Sequence, residues 1–195
     1  MRRLSVALLC LFCCALTAQN PAKPSSPDAG TLSDGVYRNR SFAFTYKPPY
    51  GWVDRTSSMN DDKTDPAMAR VLLAVFEQPP EAKRETVNSA VVITVESLKA
   101  YPGLKTAADY FGPLSETAQG LGFKMVSDPY SVTQTGKSLV RADFKNESGK
   151  QPIYQISLAY LSKGYAVSFM FIGGSIYEVE QLREGLSFAA PAGKH

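Results

Sequence analysis

Tyr37-Arg38-Asn39-Arg40-Ser41-Phe42-Ala43-Phe44-Thr45-Tyr46-Lys47-Pro48-Pro49-Tyr50-Gly51-Trp52 is the stretch on which the reading of the fold turns. Phe42, Phe44 and Tyr46 alternate with Ala43 and Thr45, the period-two pattern of a strand with one buried face. Pro48-Pro49 ends that strand, because proline donates no N–H to a ladder. Trp52 follows Gly51 at the strand end, where the expectation is a core anchor packed under a helix, with Tyr50, Trp52 and Tyr101 the aromatics best placed to reach solvent.

Toward the C-terminus the same period recurs. Val71 to Phe76 and Val91 to Val95 are short β-branched runs that read as interior strands buried on both faces, separated by a polar excursion over Gln78 to Asn88 that contains Pro79-Pro80. In Leu139 to Lys145, Val140, Ala142 and Phe144 share one face. From Tyr154 onward Ile156, Leu158 and Tyr160 point together, opposite Gln155, Ser157 and Ala159. Lys163-Gly164 then joins this run to Tyr165–Phe171, a two-residue hairpin signal. Gly136-Lys137-Ser138 reads as another hairpin turn rather than a phosphate loop, because Ser131 stands where that motif needs glycine.

Two helices interrupt the strands. Thr106 with Asp109 fits a capping pattern, and Leu104, Ala107, Ala108, Phe111 and Leu114 recur at helical spacing, with Gly112-Pro113 expected to kink or split the helix. Ser175 with Glu178 makes a capping box for a second helix carrying Ile176, Val179 and Leu182, and Leu186-Ser187-Phe188 reads as a short return. The sum is an α+β fold, a mainly antiparallel sheet of roughly six to eight strands with at least two covering helices.

The N-terminus has another character. Met1-Arg2-Arg3, the apolar run Leu4 to Leu16 and the small residues before Gln19 have the form of a secretory signal peptide over 1–18. The apolar run is shorter than the roughly 20 residues that span a bilayer, so no transmembrane anchor is expected after cleavage; an uncleaved anchor or a lipidated Cys10, Cys13 or Cys14 stays open. Residues 19–34, with Pro21, Pro24 and Pro27, read as a spacer. The domain is expected over 35–188, and 189–195 as a flexible tail. The expected location is periplasmic or extracellular.

Composition excludes much chemistry. All three cysteines lie in the signal segment, and the only histidine is the terminal His195. Cysteine and histidine nucleophile systems and zinc sites are therefore not expected. The whole chain of 195 residues carries a formal charge of +3; without Arg2 and Arg3, 19 basic residues face 18 acidic ones, which is no footprint for nucleic acid. Gly185-Leu186-Ser187-Phe188-Ala189 lacks the last glycine of a nucleophile elbow. Asp61, Asp62 and Asp65 crowd one loop without the spacing of a calcium-binding loop. No catalytic residue, cofactor or metal ligand is assigned.

The opening Tyr37-x-Asn39-x-x-Phe42-x-Phe44-x-Tyr46-x-Pro48-x-x-Gly51-Trp52 resembles the start of PsbP/Mog1-like (DcrB-like) domains, and the order of later elements is similar. The doubled Pro48-Pro49 and the extra Tyr50 depart from the pattern. The resemblance implies an α/β/α sandwich and a domain that binds or assembles with other proteins. The expected function is thus an exported, non-catalytic binding or assembly domain, not an enzyme, with another exported or envelope protein as partner. Alternatives are a carrier of a small apolar ligand or lipid, and an enzyme using carboxylates or tyrosines. Loops on a rigid sheet concentrate binding residues, which makes Tyr50, Trp52, Asp61, Asp62 and Asp65 the candidate partner surface.

Overall fold

The computed structural model describes residues 26–60, 64–82 and 86–189; the signal-peptide reading, Asp61, Asp62 and the end of the tail lie outside them. In chain order the elements are β1 Thr31–Ser33, β2 Val36–Asn39, β3 Phe44–Tyr46, β4 Val53–Asp54, β5 Ala69–Phe76, β6 Ala90–Ser97, α1 Phe111–Gly120, β7 Lys124–Met125, β8 Tyr130–Gln134, β9 Lys137–Asn146, β10 Ile153–Ser162, β11 Tyr165–Gly173, α2 Ile176–Glu184 and β12 Leu186–Phe188. The large sheet runs β4-β5-β6-β11-β10-β9-β7, with β8 also on β9, and the small sheet runs β1-β2-β3-β12. Every pairing is antiparallel.

Alternation sorts the large sheet into two unlike faces. Val91, Ile93 and Val95 of β6, Ile156, Leu158 and Tyr160 of β10, and Val167, Phe169 and Phe171 of β11 face the small sheet and α2, where they meet Phe44, Tyr46, Leu186, Val179 and Leu182 in the main core. The Phe44 and Phe169 rings meet edge to face at 5.0 Å, a favoured aromatic geometry. On the other face Ala142, Phe144, Ala159 and Ala166 pack against Phe111, Leu114 and Ala118 of α1. Small alanines on the sheet let the larger helix side chains approach. The fold is an α+β sandwich in three layers.

Tight turns hold the strand registers. Thr135-Gly136 joins β8 to β9, and Lys163-Gly164 joins β10 to β11, each with positive φ at both residues. That is the mirror-image turn whose twist matches paired strands. Asp34-Gly35 does the same between β1 and β2.

That third hairpin corrects the reading of 19–34 as spacer throughout. β1 pairs with β2, the Tyr37 hydroxyl donates to the Ala29 carbonyl at 2.7 Å, and the Asn39 amide donates to the Asp28 carbonyl at 2.9 Å. Phe42 is buried but lies in the turn before β3, where its N–H donates to the Asn39 side chain and Ala43 takes positive φ. The small sheet was not anticipated as a separate layer.

The helix expected from Leu104 begins instead at Phe111. Thr106 and Asp109 do exchange capping hydrogen bonds, but they close a turn ahead of the helix. Pro113 falls in the first turn of α1, where its missing N–H has no intrahelical partner to lose, so it neither kinks nor splits the helix. In α2 the Ser175 hydroxyl accepts from the Glu178 N–H at 3.2 Å as expected, while the Glu178 carboxylate reaches past the cap to the Gly174 N–H at 2.8 Å and to the Ser89 hydroxyl. Trp52 is half-buried against the main core rather than enclosed under a helix.

Chemical denaturation should rank these positions. Phe169→Ala is expected to cost ~3–5 kcal/mol, Ser175→Ala about 1 kcal/mol, and Trp52→Ala less than Phe169→Ala, because the indole is only partly buried against the core.

Candidate functional site

The face of the sheet toward α1 is only partly apolar. Register aligns Val71, Thr94, Ser168 and Ala159 across β5, β6, β11 and β10, and sets Glu96 directly between Ala69 and Ala166. The Thr94 and Ser168 hydroxyls are 2.7 Å apart, and the Gln155 amide donates to the Ser157 hydroxyl at 2.9 Å. These polar side chains sit on the sheet beside the α1 packing contacts.

Glu96 is the centre of this face. One carboxylate oxygen accepts the Tyr110 hydroxyl at 3.1 Å, and the other accepts the Tyr101 hydroxyl. The two rings meet edge to face at 5.9 Å. Tyr101 arrives from the turn after β6, and Tyr110 is the residue just before α1, so the segment leading into the helix is folded down onto the carboxylate. Burial, reinforced by the hydrogen bond to Glu96 and its charge, pushes the Tyr101 phenol well above its ordinary range. Burial and the Glu96 charge do the same to Tyr110.

Two spaces open beside Glu96. A cavity of about 120 Å³ under α1 is lined by Thr94, Glu96, Tyr101, Tyr110, Leu114 and Met170, among others. A solvent-open groove of about 550 Å³ lies over β5 and β6, which α1 leaves uncovered, with Met59, Asn60, Pro66, Ala69 and Val71 in its walls. Thr94 and Glu96 border both. Asn60 fixes the outer wall: its amide donates to the Val71 carbonyl and its carbonyl accepts the Val71 N–H, each at 3.0 Å.

The residues singled out from sequence fall at two separate places. Tyr50 is fully exposed, on a turn with Gly51 at positive φ, and Trp52 adjoins β4, which pairs with the Phe76 end of β5. Asp65 is exposed beside the other end of β5, where its carbonyl accepts the Ala69 N–H. About seven residues of strand, roughly 23 Å at ~3.3 Å each, separate them. Thr64 and Pro66, on either side of Asp65 in sequence, line the groove; Asp65 itself, Tyr50 and Trp52 do not. Asp61 and Asp62 lie outside the described residues. Glu96, Thr94, Ser168 and Tyr110 were not read from sequence as site residues. The available signal was Thr94 and Glu96 at i and i+2 in an otherwise apolar strand.

A second polar cluster is structural. Arg141 bridges Asp143 and Glu180, each at 2.8 Å, and Glu180 also pairs with Arg183 at 2.7 Å, tying α2 to β9. Among the described residues no group of three His, Cys, Asp or Glu side chains is gathered as a metal site would need.

No protein-family model matches the chain, and no curated protein matches it. Solved structures do. The solution structure of cyanobacterial PsbP (CyanoP) from Synechocystis sp. PCC 6803 superposes with a TM-score of 0.54 at 10% identity, over 82% of this chain and 95% of that one. The Ran-binding protein Mog1p of Saccharomyces cerevisiae gives 0.44 at 12% identity, over 79% and 88%. LpqN of Mycobacterium tuberculosis, involved in cell envelope biogenesis, gives 0.42 at 12%, over 75% and 83%. The chain has a PsbP/Mog1-like fold.

Alkaline titration tests the burial of the tyrosines. A phenol whose folded pKa is raised adds stability that is complete below the ordinary value of about 10 and is lost as pH climbs beyond it. Tyr37, pushed up to about 12 mainly by burial, and Tyr46, Tyr101, Tyr110 and Tyr160, raised further, all contribute in that sense. The unfolding free energy is therefore expected to fall steadily with pH above about 10. Tyr110→Phe should fall less steeply over the same range, as measured by denaturation at stepped pH.

Proposed function

We propose that the chain is an exported, non-catalytic protein-binding or assembly domain, and that its partner, another exported or envelope protein, docks in the groove over β5 and β6. The groove itself carries this reading. It is open to solvent over β5 and β6, offers Met59, Pro66, Ala69 and Val71 as apolar surface, and has a conformationally adaptable methionine at its lip. Exposed Asp65, Glu96 in the groove wall, and Asp61 and Asp62 in the same loop sequence outnumber the basic pair Arg70, also in the wall, and Lys63 of that loop sequence. This acidic excess favours a basic segment on the partner and faster association at low salt. The form of residues 1–18 supports export. The likeness to CyanoP supports the fold alone, since one fold serves many functions.

Tyr50 with Trp52 forms a second candidate contact at the far end of β5. Exposed aromatics beside a rigid turn are frequent anchors in protein interfaces. The carrier reading meets an obstacle in the cavity under α1, because an apolar ligand there would strip water from the Glu96 carboxylate without replacing it.

Affinity capture from the exported fraction with the mature protein as bait tests the docking site. A partner retained by the wild type should be lost or weakened by on the order of 2 kcal/mol with Met59→Asp, at unchanged melting temperature. The same partners held equally by Met59→Asp, with loss on Tyr50→Ala instead, would move the interface to the other end of β5.

A further inference from the structure

Among the described residues, the side chains that hydrogen-bond Glu96 are neutral. Its two oxygens accept two tyrosine hydroxyls, its flanking residues on the sheet are alanines, and among the described residues no lysine or arginine forms an ion pair with it. Around it stand further oxygen acceptors, in the Thr94 and Ser168 hydroxyls and the Gln155 side chain, and apolar walls from Leu114, Ala118 and Met170. Among the described residues no basic side chain lines the cavity. A half-buried negative charge beside acceptors and an apolar wall is a binding arrangement with a defined sign.

Elimination narrows the ligand. An anion meets the carboxylate charge, and a neutral apolar molecule desolvates it without recompense. A hard divalent cation needs several oxygen ligands of higher charge than one carboxylate provides. A guanidinium binds best as a planar fork across both carboxylate oxygens, and here each oxygen already accepts a tyrosine hydroxyl. An ammonium group is a compact charge with three divergent donors, suited to one carboxylate and neighbouring hydroxyls. A short alkyl chain matches the walls. We propose that the cavity beneath α1 is a binding site for a primary alkylammonium group, seated on Glu96 with its chain against Leu114 and Met170. The site does not rest on the docking reading, since the amine is tested without any protein partner.

The test is an NMR titration of the mature protein with n-butylammonium chloride, against n-butanol and n-butylguanidinium chloride at matched ionic strength. Saturable shifts are expected for n-butylammonium, centred on Glu96, Tyr101, Tyr110 and Ser168, with weaker binding of the guanidinium and none of the alcohol. Glu96→Gln keeps the shape and is expected to lose about tenfold or more in affinity. Thr117→Trp, which crowds the cavity from an exposed position on α1, should lose binding as well and serves if Glu96→Gln fails to fold. Absence of saturable binding, equal binding by the folded Glu96→Gln protein, or equal binding of n-butanol would overturn the proposal. Nα-acetyl-lysine N-methylamide separates the sources of the amine. About tenfold tighter binding than n-butylammonium assigns the site to a lysine side chain of a partner; equal or weaker binding assigns it to a free small amine.

Discussion

Register between β6, β11 and β10 is the constraint on which the rest of the structure depends. Successive side chains on a strand point to opposite faces, so a slip of one residue exchanges the two faces entirely. In the observed register Val95, Val167 and Tyr160 line up toward the small sheet, and Thr94, Ser168 and Ala159 line up toward α1. One step of slip in β6 would drive Glu96 into the aromatic core. The Lys163-Gly164 turn fixes β10 against β11, and the long ladder between β11 and β6 carries that register to Glu96.

The two faces then solve different problems. Toward the small sheet the core is aromatic and its polar tips are matched: the Tyr160 hydroxyl donates to the Phe42 carbonyl at 2.9 Å and the Tyr46 hydroxyl to the Leu182 carbonyl at 3.1 Å. The first bond fastens the turn before β3 to the large sheet and the second fastens α2 to β3 of the small sheet, because buried hydroxyls left unpaired are costly. Toward α1 the polar groups are gathered instead of dispersed, and the helix covers only part of them. A face that carries Glu96, Thr94, Ser168, Gln155 and Ser157 is a poor choice for stability alone, the kind of break in local rules expected at functional or strained sites.

Much of the frame was legible. Alternation placed β9, β10 and β11, the Lys163-Gly164 turn placed their hairpin, and Ser175 with Glu178 placed α2, because each signal is local. Asp34-Gly35 was an equally local hairpin signal, obscured by the proline-rich composition just before it. Where α1 begins was harder to read, because Thr106 and Asp109 form a capping pair that serves a turn. The site was legible only in fragments. Thr94 and Glu96 break an apolar run, but the tyrosines that meet Glu96 come from the loop before α1, and their arrival depends on tertiary packing. The split between Tyr50 and Asp65 is of the same kind: near in sequence, they follow β5 to opposite ends.

A sheet with one dry face and one hydrated, negatively charged face is the central physical claim, and a high-resolution crystal structure of the unliganded protein tests it most directly. The account predicts ordered water bonded to Glu96, Ser168 and Gln155 under α1, and none between the large sheet and the small sheet with α2. A closed, water-free α1 face, with Glu96 paired to a basic side chain of its own chain, would contradict it.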